Sequence, residues 1–129
     1  LLAGAMVTFL PSQPYREVWL HFYSASRLQP EVAQMHRALW GRFRASVQRR
    51  ITAAAEERGI KIDIPTVTLM YTQLIDGLWL GMVVEEAYDE ATCRQVMRDW
   101  LCDVFGEDRE KHSIVPPFDV AALREELSL

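Results

Sequence analysis

The stretch "LIDGLWLG", residues 74–81, decides how the rest of the sequence is read. It places one acid, Asp76, inside an otherwise apolar run, with Gly77 and Gly81 four residues apart. The surrounding segment, Pro65 to about residue 87, is apolar nearly all round, which predicts a central, buried helix. A charge must be partnered there. Each interior glycine costs about 1 kcal/mol against alanine. Wound as a helix, Gly77 and Gly81 share a side with Met70, Leu74 and Leu78. Asp76 falls about 100° or more away, near Leu69, Thr72, Gln73 and Val83, with Trp79 at the edge. The segment therefore has two sides. One admits a close helix neighbour, and the other turns an acid and an indole inward.

Residues 64–84 are long enough to cross a bilayer, which takes about 20 residues, and Gly-x-x-x-Gly suits helix pairing in lipid. Against a span stand the mid-segment acid, Thr66, Thr68, Thr72 and Gln73, and the acids Glu85 and Glu86 where a basic flank belongs. No membrane association is expected. The chain of 129 residues has a net charge of −4 and 50% hydrophobic residues, which fits one globular domain. The acidic balance argues against a nucleic-acid footprint over the whole chain. The mixed basic and aromatic run "HRALWGRFRASVQRR", residues 36–50, reads first as a solvated helix face. Cys93 and Cys102 fall on opposite faces of one helix, so they do not bridge each other, and reduced thiols point to a cytoplasmic protein.

Outward from the central segment the pattern stays helical. Residues 14–28 place Tyr15, Trp19, Phe22, Tyr23 and Ser26 on one face. Residues 30–58 carry a drifting apolar stripe of Val32, Met35, Leu39, Phe43, Val47 and Ala54, with Gly59 as a stop. Arg37, Arg42, Arg44, Arg49 and Arg50 lie mostly off that stripe. "GIKIDIP" alternates like a strand but has no partner, and reads as a connector. Residues 89–105 form a further helix between the N-cap Asp89 and the stop Gly106. Residues 107–117 read as a loop, and Asp119 as the cap of a last short helix carrying Val120, Leu123 and Leu127.

Signs of catalysis are weak. There is no Glu-x-x-His, no His-Glu-x-x-His, no Gly-x-Ser-x-Gly and no phosphate-cradling loop. His21, His36 and His112 lack metal-ligand spacing; His36 reads as a core residue rather than a ligand. No cofactor and no enzyme activity are expected. The aromatic set is more suggestive. Aromatic faces hold cations and flat apolar ligands, and a carboxylate beside them suits a cation. The alternative is an ordinary aromatic core.

"VWLHFYSASRLQPEVAQMHRALWGRFRASV" followed by "LIDGLWLGMVVEEAYDEATCRQVMRDWL" resembles the C-terminal domain of TetR-family transcriptional regulators, in particular the BetI-like subgroup. Leu74 to Leu80 carry the most specific part, and Trp19, Phe22 and Gln29-Pro30 add to it. The resemblance implies an all-α bundle of five to six helices that dimerises through a four-helix interface made by the last two long helices of each subunit. It implies a homodimeric repressor in which a small-molecule effector, cationic or aromatic and apolar, shifts the DNA affinity of an N-terminal helix-turn-helix. That head lies outside these residues, so DNA is a partner only through it. Residues 1–14 read as a remnant of the connecting helix, 15–106 as the ligand-binding and dimerisation domain, and 107–129 as a loop and short helix. The expected ligand-binding residues are Trp19, Phe22, Tyr23, Trp40, Tyr71, Asp76 and Trp79. The expected dimer residues are Leu74, Gly77, Leu78, Gly81, Val96 and Trp100. The competing functions are a ligand-free interaction module and, further back, a small helical enzyme.

Overall fold

The computed structural model describes residues 13–112, with side chains described for residues 18–111. Four α-helices follow one another: α1 (Gln13–Leu28), α2 (Pro30–Arg58), α3 (Ile64–Val83) and α4 (Glu90–Phe105). A 3-10 turn, Arg109–His112, closes the described chain. No strand forms among the described residues. The all-helical class stands. Against the expected five to six helices, the described residues hold four and this turn, which occupies part of the stretch expected to be loop. The helix expected after Asp119, and the expected position of Tyr15 on the aromatic face, lie outside the described residues.

Local chemistry explains the boundaries. Gln29 alone separates α1 from α2; it is extended, as the residue before a proline must be, and Pro30 opens the next helix. α2 ends at Gly59, whose φ of 62° is the left-handed cap that glycine adopts without strain. Of "GIKIDIP", residues 59–63 are a connector without strand structure, as its missing partner implies, and Ile64 and Pro65 open α3. α3 and α4 open on the same device. Asp63 accepts from the Thr66 backbone N–H at 3.2 Å and from its hydroxyl at 2.7 Å. Asp89 accepts from the Thr92 backbone N–H at 2.8 Å and its hydroxyl at 2.7 Å. Both fill donors that a helix start leaves open.

α3 stops four residues earlier than the expected 87. The apolar pattern continues through Val84, and no glycine marks the stop. Glu86 instead takes a φ of 52°, reversing the chain. The Ala87 N–H then returns to the Gly81 carbonyl at 3.0 Å, satisfying an end-of-helix acceptor.

Consecutive helices pack on one another, α1 on α2, α2 on α3 and α3 on α4. α2 is about 44 Å long at 1.5 Å per residue, so it runs the length of the molecule. Its second half meets α3 and α4 in a tight core of Val47, Ile51, Ala54, Ala55, Val67, Tyr71, Ile75, Met97, Leu101 and Phe105. Arg58 ties this end shut: it ion-pairs with Glu107, donates to the Ala54 carbonyl at 3.2 Å, and lies 5.4 Å from the Phe105 ring centre. A second cluster, around Trp79, Met82 and Cys93, occupies the other end of α3, where Trp19, Leu20 and Tyr23 of α1 pack on it. No described helix is long and apolar enough to cross a membrane.

Candidate ligand site at the aromatic end

α1, the first half of α2 and the second half of α3 bring six rings and one acid together. Trp19, Phe22 and Tyr23 sit on one face of α1 because their spacing matches the helical repeat. Trp19 meets the Phe22 ring edge-on at 5.7 Å and the Tyr23 ring at 6.2 Å. From α2, His36 stands edge-on to Phe22 at 5.3 Å, to Tyr23 at 5.1 Å and to Trp40 at 6.0 Å. From α3, Trp79 lies 6.2 Å from Tyr23. Such edge-on pairs put positive ring edges on negative faces. Tyr23 and His36 are the hub of the cluster.

Asp76 reaches this hub. The Tyr23 hydroxyl donates to Asp76 Oδ1 at 3.5 Å, the long limit of a hydrogen bond. Burial pushes the Asp76 carboxyl above its ordinary range, and the Tyr23 hydroxyl and the Arg44 guanidinium pull it partly back. Burial and the facing carboxylate together push the Tyr23 phenol up. His36 moves the other way: burial, then Arg37 and Arg44, hold its imidazole neutral.

The polar atoms here are incompletely satisfied. Trp79 is 7% exposed. Its Nε1 and the His36 Nε2 are both buried without a hydrogen-bond partner among the described residues. Trp19, Phe22, Tyr23, His36, Trp40 and Asp76 are themselves only half-buried. The cluster is a set of half-buried rings with two buried polar atoms that lack partners among the described residues. No group of three metal-binding side chains occurs among the described residues.

Of the seven residues expected to line a ligand site, six meet here: Trp19, Phe22, Tyr23, Trp40, Asp76 and Trp79. Tyr71 does not. It lies two helical turns earlier on α3, buried in the tight core 6.2 Å from the Trp100 ring. His36 is the residue that sequence reasoning set aside as core. Its position one turn before Trp40, on the face toward α1, was the available signal. An open cleft of about 740 Å³ adjoins the Trp79 cluster at Met82 and Tyr88, lined further by Glu86, Asp89 and Thr92, and none of the six rings lines it.

The residues expected at a dimer interface divide. Gly77 is exposed, and a Cβ there would meet nothing. Val96 is 39% exposed, and Leu74, Leu78 and Trp100 are half-buried edges of the tight core. Gly81 has an intramolecular neighbour. A Cβ there would lie 1.8 Å from the Tyr88 hydroxyl, which also reaches the Gly77 carbonyl at 3.4 Å. Four exposed apolar side chains lie beside them: Met70, which the sequence places on the glycine side, and Leu69, Leu80 and Val84, which it does not.

Comparison with known protein families matches residues 3–106 to the C-terminal domain of BetI-type transcriptional repressors. The chain belongs to this family. The match covers all four helices, and so both the aromatic cluster and the exposed face of α3. No curated protein and no solved structure matches the chain. The matched domain is part of a transcriptional repressor.

Proposed function

We propose that this domain is the effector-binding and dimerisation part of a TetR-family repressor of the BetI type. The aromatic cluster around Tyr23 is its ligand site, and the outer faces of α3 and α4 are its dimer interface. The half-buried cluster carries the first part. Large aromatic rings left half-buried, next to a partly buried acid and orphaned polar atoms, give the mostly apolar surface with a few polar groups that a ligand site needs.

The surface of α3 supports the second part. Its exposed residues Thr66, Met70, Gln73, Gly77, Leu80 and Val84 are spaced alternately four and three apart. This is the seam repeat of helices that pack at shallow angles, as in four-helix bundles. Gly77 at its centre lets a partner helix approach. The regulatory step follows as a population shift. The site bridges α1, α2 and α3, so a ligand that favours one arrangement of these helices also favours one arrangement of two subunits. In a dimeric repressor that arrangement sets the spacing of the DNA-reading heads.

Native mass spectrometry of the purified chain, with rising collision energy, tests both parts. A dimer carrying a co-purified small molecule is the expected result. A dimer that never carries one, in any preparation, favours a ligand-free interaction module, a reading supported by the edge-on contacts that already link most of the rings. A monomer at micromolar concentration removes the dimer interface.

A further inference from the structure

The ligand-site proposal above leaves the charge of the ligand open, and the polar atoms of the site bear on it. A carboxylate among aromatic rings suggests a cation. Three observations point elsewhere. The first is Trp79 Nε1, a buried group that donates and never accepts, and that has no partner among the described residues. Native interiors rarely leave such a donor unmade. The second is His36, whose buried Nε2 is also unpartnered and which burial and two guanidiniums keep neutral. A neutral imidazole has one N–H to give, and on Nε2 that proton would meet the ligand.

The third is the charge around the site. The charged groups whose fields reach Tyr23, His36 and Asp76 are Asp76, Arg37 and Arg44. The described ion pairs use Arg58, Arg94, Arg98 and Arg109; neither Arg37 nor Arg44 has one. Among the described residues, two cations without an ion pair therefore stand against one acid that burial already biases toward its neutral form. A tetraalkylammonium centre offers no lone pair to Trp79 or His36 and meets net positive charge. A carboxylate offers both acceptors and an opposite charge.

We propose that the aromatic cluster takes a small organic acid, its apolar or aromatic body against Trp19, Tyr23 and Trp40 and its carboxylate accepting from Trp79 Nε1, with His36 Nε2 as the second donor. Arg44 supplies long-range attraction. Asp76 and the Tyr23 hydroxyl, already paired with each other, set the depth of the site.

Three probes of nearly equal size separate the alternatives: phenylacetate, 2-phenylethanol and benzyltrimethylammonium, each titrated calorimetrically into the full chain at neutral pH. Phenylacetate is expected to bind about tenfold tighter than either of the others, the scale of one charge-assisted hydrogen bond. In ¹H–¹⁵N spectra the indole N–H resonance lost in Trp79→Phe is expected to move on adding phenylacetate. Trp79→Phe and His36→Phe are each expected to weaken phenylacetate about fivefold or more and to leave 2-phenylethanol nearly unchanged, because only an acceptor-bearing probe uses the N–H groups. Arg44→Gln, at an exposed position that puts no fold at risk, is expected to weaken phenylacetate alone. Tightest binding of benzyltrimethylammonium overturns the acid proposal and leaves the sensor reading standing. Equal binding of all three probes, or phenylacetate binding indifferent to both Trp79→Phe and Arg44→Gln, overturns the acid proposal in the same way. Failure of every probe at millimolar concentration overturns it too, and a co-purified adduct in native mass spectrometry then shows whether the sensor reading survives.

Discussion

Helix α3 passes through both ends of the molecule, and the two ends differ in kind. Val67, Tyr71 and Ile75 enter the core with α2 and α4, where every member of the central cluster is buried. One helical turn beyond Ile75, Trp79 enters a cluster whose partners from α1 are half-buried rings. The first end is closed further by Arg58 across Glu107 and Phe105. The second keeps Asp76 half-buried, and Trp79 Nε1 and His36 Nε2 without partners among the described residues; the first end has one such atom, Thr68 Oγ1, so the half-buried rings and acid are what set the second apart. One end is built for stability. The other retains unsatisfied groups that the proposed ligand would complete.

The largest expected effect tests that division directly. Leu101 is 3% exposed in the tight core, and Leu101→Ala should cost about 2–5 kcal/mol in urea unfolding, through lost burial and the cavity left behind. Trp19→Ala removes a larger side chain from the half-buried cluster. It should nevertheless cost less than Leu101→Ala, because much of that ring is already in water. Equal costs would erase the distinction between a structural and a sensing end.

The next effect concerns the outer face of α3. Gly77→Leu places a side chain on the exposed seam where nothing within the chain opposes it. Sedimentation should show a dimer weakened about tenfold, roughly 1.4 kcal/mol, with thermal unfolding of the subunit little changed. Gly81→Ala is the contrast, since its Cβ must displace the Tyr88 hydroxyl. It should disturb the turn after α3 before it touches any partner. If Gly77→Leu leaves the dimer intact, the seam is not the contact.

Much of this division was legible in the sequence, and the parts that were not have physical causes. The boundaries of α2 follow from Pro30 and Gly59, because those residues impose backbone angles locally. The meeting of Trp19, Phe22 and Tyr23 follows from periodicity alone. Tyr71 was grouped with rings it does not meet because residue type does not say how far along a helix a ring lies from its neighbours. Tyr71 and Trp79 are eight residues, about 12 Å, apart on α3. Gly81 read as a site for a partner helix because periodicity does not reveal that Tyr88, beyond a turn, folds back to fill it. The end of α3 was placed late because Glu86 takes a left-handed conformation that few non-glycine residues adopt.

The helix caps predict a smaller effect, similar at both ends. Asp63→Ala and Asp89→Ala should each cost about 1 kcal/mol, since each leaves N-terminal donors of its helix unfilled. Hydrogen exchange sharpens the comparison. Loss of the Asp63 cap should expose the first turn of α3 at the tight end. Loss of the Asp89 cap should expose the first turn of α4, where Cys93 packs in the Trp79 cluster.

The smallest effect has opposite signs at different carboxylates. The Thr66 and Thr92 hydrogen bonds hold Asp63 and Asp89 below the usual carboxylate range. A depressed folded-state value means stability present above the unfolded value and lost as pH falls through the folded one. Asp76 is raised by burial, so the folded state binds its proton more readily than the unfolded chain. Ionised Asp76 therefore opposes folding at neutral pH, and its opposition fades as pH falls through its raised value. Asp76→Asn keeps an oxygen that accepts from the Tyr23 hydroxyl and removes the charge. It should be as stable as the parent or slightly more stable at neutral pH, and the difference should vanish in acid. A neutral-pH loss larger than that of either cap variant would mean that the carboxylate's bond to Tyr23 outweighs its burial, and that the aromatic end, like the tight core, is built to hold itself together rather than to wait for a ligand.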